Sequence, residues 1–273
     1  MATLVCFHAH PDDEAITTAG LMARAAAAGH RVVLVAATAG ERGEPQPGVL
    51  DPDEDLGTRR RVELAAASRV LGAEPPRFLG YGDSGMMGDP GNDDPACFWQ
   101  ADVEEAARRL ADILDEVGAD VLTVYDEHGA YGHPDHIQVH RVGHRAAALA
   151  GTPHVYEATS SREGAREAWQ LAARELGGEA TVDDGAVDDV ESFGVPHADL
   201  SYALDVTDQL EAKRAAMAAH RSQISEQSFF LGLRPETFAA VFGTEWFAVR
   251  GRTGTGGPTF VTLLPGLDQG PSR

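Results

Sequence analysis

Two uninterrupted apolar runs, TLVCFHA at 3–9 and RVVLVAAT at 31–38, bracket an alanine-rich segment at 13–28 that stops at Gly29. Runs with no polar alternation read as strands covered on both faces, and a helix-period segment joining two of them is a β-α-β unit. Such a crossover is right-handed and lays its helix on one face of a parallel sheet, so the sheet needs further helices on its other face. The pattern supplies them. A helix at 58–71 ends at Gly72, a short strand RFLGY follows at 77–81, and a helix over 99–117 precedes the strand ADVLTVY at 119–125 and a helix at 134–149.

The expected fold class is therefore α/β: a Rossmann-like three-layer α/β/α sandwich around a mostly parallel sheet. With 273 residues and 43% hydrophobic composition, the chain can build one large core. Past residue 155 the periodicity weakens into a helix at 162–176, the acidic stretch DDGAVDDVES, a strand at 201–206, a helix at 208–221 and a last strand near 245–250. We expect one domain over 1–250, with 160–198 as a C-terminal insertion or lid, and a loose tail at 251–273. No internal repeat is present.

Charge narrows the partners. Lys and Arg number 22 against 43 Asp and Glu, and the resulting −21 repels phosphate backbones and anionic lipid surfaces. Nucleic acid and membrane are therefore excluded as expected partners, and the basic group Arg59, Arg60 and Arg61 reads as a solvated helix face. His8, His10 and Asp12 interrupt the opening apolar run, so it does not read as a secretion signal, and no later stretch is long and uncharged enough to span a bilayer. The expected location is cytoplasmic. Cys6 and Cys97 lack metal-ligand spacing, and Cys6 reads as a small buried hydrophobe. Homo-oligomerisation is left open.

The polar clusters follow the strands. HPDDE comes after the first, GERGE (40–44) after the second, GDSGM (82–86) after the third and YDEHGAYGHPDH (125–136) after the fourth. Loops at the carboxyl ends of parallel strands converge on one edge, which makes these a single candidate cleft. Two of them place Pro between His and Asp at a helix start, where its missing N–H costs nothing. His10 then ends a strand, Asp12 and Asp13 enter a first helical turn, His133 occupies a cap and His136 a first turn. One carboxylate and two imidazoles from two loops would leave an open coordination position, the arrangement of a catalytic zinc. Asp at a helix start is also commonly a plain cap. A rival ligand set, His136, His140 and His144, recurs every four residues but lacks an acid on the same helix. His140 and His144 read as supporting or packing groups, His8 as support behind His10, and His128 is unassigned.

AHPDDE at 9–14 with GHPDH at 132–136 resembles the signature pair of the zinc-dependent N-deacetylases of the N-acetylglucosaminyl-phosphatidylinositol de-N-acetylase (LmbE-like, PIG-L) family. The similarity extends to GERGE (40–44), RRVEL (60–64), DSGM (83–86) and KRAAMAAHRSQ (213–223). The resemblance implies hydrolysis of an N-acyl, in the first instance N-acetyl, amide on an amino-sugar small molecule. It implies His10, Asp13 and His136 as zinc ligands and Asp12 as general base. It further implies His133 and Tyr131 at the oxyanion, Asp135 orienting the His133 imidazole and favouring its charged form, and Glu44, Arg60 and Asp83 on the sugar. Ferrous iron is an alternative to zinc for such ligands. The chain looks most like the actinobacterial members that handle mycothiol, the deacetylase of its glucosaminyl-inositol precursor and the mycothiol S-conjugate amidase. The readings from other classes are a Rossmann-like nucleotide-binding module and a non-catalytic metal-binding protein. Against the first, no G-x-G-x-x-G follows the opening strand. Against the second, Asp12 beside the ligands has no obvious structural duty.

Overall fold

The computed structural model describes residues 1–176, 193–254 and 256–268. Strands β1 (Thr3–His8), β2 (Arg31–Ala36), β3 (Arg77–Phe78), β4 (Val121–Tyr125) and β5 (His154–Thr159) run parallel, in the spatial order β3-β2-β1-β4-β5. The helices between them are α1 (Asp13–Thr17) and α2 (Ala19–Ala27), α3 (Leu56–Val70), α4 (Val103–Val117), then α5 (Gly129–Gly132) and α6 (Pro134–Ala150). After β5 come α7 (Arg162–Glu175), β6 (Tyr202–Asp205), α8 (Leu210–Ala219), α9 (Pro235–Phe242), β7 (Thr244–Ala248) and β8 (Thr259–Val261). β7 lies antiparallel between β5 and β6, and β8 closes the sheet beside β6.

The three layers follow from strand alternation. In β1, Leu4 and Cys6 face a core shared with Leu21 and Met22 of α2, Leu64 of α3 and Met217 of α8. Val5 and Phe7 face the opposite core, with Leu110 and Leu114 of α4 and Val139 and Val142 of α6. Burial pushes the Cys6 thiol up to about 12, and both cysteines are free and buried, so Cys6 packs as an apolar residue. The fold is the expected α/β sandwich.

Several boundaries differ from the sequence reading. The helix at 13–28 breaks at Thr18, whose backbone leaves helical geometry (φ −134°) and whose hydroxyl hydrogen-bonds His8 Nε2 at 2.9 Å. The restarted α2 has orphan N–H groups, and the Glu245 carboxylate accepts two of them, from Gly20 at 2.7 Å and Leu21 at 2.8 Å. The tail at 251–273 is corrected in part: residues 259–261 pair with β6, and Leu264 and Leu267 are fully buried. In the region read as an insertion or lid, α7 packs on α9, and Trp169 meets Phe193 at 5.7 Å. The stretch DDGAVDDVES lies outside the described residues. Among the described residues, no helix is long and apolar enough to cross a membrane.

Candidate active site

The four strand-end loops meet. His10, just past β1, donates its backbone N–H to Asp13 Oδ2 at 2.8 Å, which folds the Asp13 carboxylate back beside the imidazole, 3.5 Å from Nδ1. Asp13 Oδ1 in turn lies 3.4 Å from His136 Nε2, at the start of α6. His10, His133 and His136 also place one ring nitrogen each within 4.8 Å of one another. Gly129 makes room for this approach: with φ +64°, any Cβ there would stand 2.7 Å from that of His136. Tyr125 stacks on the His136 ring at 4.4 Å and is fixed by its hydroxyl, 2.7 Å from His8 Nδ1.

These residues fit a divalent cation. Tetrahedral ligands about 2.05 Å from an ion are separated by about 3.3 Å, close to the gaps between Asp13 and its two imidazoles. Electrostatics keep Asp13 in the ionised form that a cation requires. Burial opposes the charge on Asp13, but His136 and His10 hold its carboxyl well below the usual range. Burial likewise opposes the charge on His10, yet Asp83, Asp13 and Asp135 raise it well above an ordinary histidine.

Asp12 sits beside the cluster with its backbone at φ +103°, a region costly for a residue other than glycine. Desolvation raises its carboxyl to about 6, against the pull of Arg60, whose guanidinium is 3.2 Å away. Arg60 is the exception in its basic group: it is buried and donates to the carbonyls of Gly40 (2.7 Å) and Pro11 (2.5 Å), while Arg59 pairs with Glu54.

Two expectations are corrected here. The Asp135 carboxylate does not orient His133; it accepts from the Ser84 backbone at 2.9 Å and stands 3.2 Å from His10 Nε2. The Asp135 backbone N–H does the orienting, donating to His133 Nδ1 at 3.1 Å as His133 caps α6. His133 is also held neutral rather than charged: burial, then His10 and His136, lower it to about 2. Because a backbone N–H can only donate, Nδ1 is the acceptor and Nε2 carries the proton.

Tyr131 reaches the cluster, its hydroxyl 3.5 Å from His136 Nε2, and Asp83 lies 3.5 Å from His10 Nε2. Glu44 is exposed; in its loop it is Glu41 that accepts from the Asp83 backbone, at 2.9 Å. His128 is exposed. His140 and His144 turn away to Glu157 of β5, an acid the sequence did not show beside them. Hydrogen bonds satisfy that group, His144 to Glu157 at 2.7 Å and His140 Nδ1 to the Tyr125 carbonyl at 3.0 Å. A cavity of about 310 Å³ opens from Asp12, Asp13, Tyr131 and His136 towards an apolar wall that includes Trp169, Phe193 and Phe230.

A buried nitrogen and oxygen donor cluster with a separate carboxylate alongside, in a cleft at the carboxyl ends of parallel strands, defines the class: a metal-dependent hydrolase. The GlcNAc-PI de-N-acetylase (PIG-L) family matches residues 5–147, and the chain belongs to it. A 1D-myo-inositol 2-acetamido-2-deoxy-alpha-D-glucopyranoside deacetylase of Thermomonospora curvata is 42% identical, covering 89% of this chain and 88% of its own. The protein of that name from Streptomyces avermitilis is 42% identical over 97% of each chain. Among solved structures, N,N'-diacetylchitobiose deacetylase from Pyrococcus horikoshii shares the fold, with a TM-score of 0.59 at 20% identity over 90% of this chain and 82% of its own. The chain is a deacetylase, a hydrolase acting on amides.

Proposed function

We propose that the chain removes the acetyl group from an N-acetylglucosaminyl-inositol, the substrate type named for the Thermomonospora and Streptomyces relatives. The observation that carries this reading is the Asp13 carboxylate facing His10 and His136, with Asp12 left over beside them. His10, Asp13 and His136 hold the ion, which we take to be zinc, with ferrous iron the alternative for the same donors. When bound, the ion polarises the amide carbonyl and lowers the pKa of a ligated water.

The remaining steps belong to side chains. Asp12 takes the proton of the attacking water and returns it to the departing amine, a task suited to a carboxyl raised to about 6. His133, neutral with its proton on Nε2, and the Tyr131 hydroxyl donate to the developing oxyanion. Arg60 holds the backbone turn at Pro11 and, with Asp83 and Glu44, completes the sugar-facing side. This reading carries with it a cytoplasmic small-molecule enzyme, in keeping with two free cysteines. The apolar wall of the cavity favours a second reading, a mycothiol S-conjugate amidase, since a conjugate brings an apolar group to bury there.

Primary-amine release from a panel of N-acetylglucosaminyl compounds and mycothiol conjugates, with metal-free protein and added zinc, tests both. Zinc-restored release from the inositol glycoside supports the first reading and preference for conjugates the second. A zinc-loaded protein that releases amine from neither overturns them. His136→Ala should lose the bound ion; a full equivalent of metal retained after dialysis would remove His136 from the ligand set.

A further inference from the structure

We propose that Glu14 and His220 are a positioning dyad for Asp12, clamping the backbone of the base in the conformation that presents its carboxylate. The inference rests on the reading of Asp12 as the base. Glu14 Oε2 accepts the Asp12 backbone N–H at 3.0 Å, and Glu14 Oε1 accepts from His220 Nε2 at 2.6 Å. Both side chains are completely buried. His220 is itself fixed where α8 ends, its carbonyl accepting from Gln223 (3.0 Å) and Ile224 (2.8 Å).

Neither Glu14 nor His220 lines the cavity, whereas Asp12 does, so the pair reaches the chemistry only through Asp12. That residue needs holding. A left-handed backbone at a non-glycine position persists only when its surroundings over-determine it. Here the N–H is held from one side by Glu14, and the preceding carbonyl of Pro11 is held from the other by Arg60. Relaxation of φ would swing the carboxylate away from the water it must deprotonate. A buried acid–imidazole pair is a poor stabiliser compared with apolar packing, which leaves positioning as the duty the geometry supports.

The discriminating comparison is His220→Phe against His220→Gln, with Asp12→Asn alongside, measuring metal per chain, kcat and KM on an N-acetylglucosaminyl substrate. We expect His220→Phe to keep its metal and its KM and to lose about 100-fold in kcat, the scale of a small misplacement of a reacting group. His220→Gln, whose amide N–H can take over the Nε2 donation to Glu14, should recover most of that loss. Equal losses in both variants would indicate packing alone and overturn the dyad, as would unchanged kcat in folded, loaded His220→Phe. If His220→Phe does not fold, His220→Leu carries the test, because its smaller side chain also removes the donor to Glu14 Oε1; unchanged kcat in folded, loaded His220→Leu overturns the proposal. Full activity in Asp12→Asn would instead remove the base itself.

Discussion

Asp12→Asn should retain one metal per chain and lose about 100- to 10,000-fold in amide hydrolysis, the range for removing a positioned general base. The substitution keeps the shape of the side chain and an oxygen for Arg60, 3.2 Å away, so the loss would report on proton transfer rather than on folding. The measurement is kcat alongside metal content on one preparation. Hydrolysis at the parental rate would discard Asp12 as base. Loss of metal together with rate would instead make Asp12 a ligand.

Glu245→Ala should destabilise the fold by about 3–5 kcal/mol, the cost of stranding one member of a buried ion pair. Glu245 and Lys213 are both about 1% exposed and 2.6 Å apart, and the same carboxylate caps α2 through Gly20 and Leu21. The substitution therefore leaves a buried ammonium and two orphan N–H groups at once. At roughly 2–4 °C per kcal/mol for a chain of this size class, the unfolding midpoint should drop by about 10 °C. Lys213→Met with Glu245→Gln should recover part of the loss, since no charge is then left alone and the amide oxygen still accepts one N–H. A midpoint within a degree or two of the parent for Glu245→Ala would show that the pair is solvated in a way its burial does not suggest.

The strands that read clearly were those apolar on both faces. TLVCFH and RVVLVA sit at the centre of a parallel sheet, so every position is covered and the run is continuous. HVYEAT, which forms β5, is broken by His154, Glu157 and Thr159, and its Glu157 is spent on the imidazole of His144, on the preceding helix. Residues 259–261 gave less still: they lie in glycine-rich chain, and the strand is held by pairing with β6 rather than by side-chain pattern. At the site, residue types and spacing exposed His10, Asp13, His133 and His136, because each sits at a strand end or helix start where local rules apply. The Glu14 link to His220 spans 206 residues and has no local signature. Asp135 was legible as a site residue but its partner was not, since whether a carboxylate or its own backbone N–H meets His133 depends on the cap geometry.

The order of the outer strands bears on how the chain is built. Both hydrogen-bonding neighbours of β6, β7 and β8, come later in the sequence, so β6 leaves the ribosome with no strand yet made to receive it. The β5 edge waits likewise for β7. The last third of the sheet, β7, β6 and β8, can therefore be completed only after synthesis has passed residue 261, and until β7 is made β5 presents an open, adhesive margin.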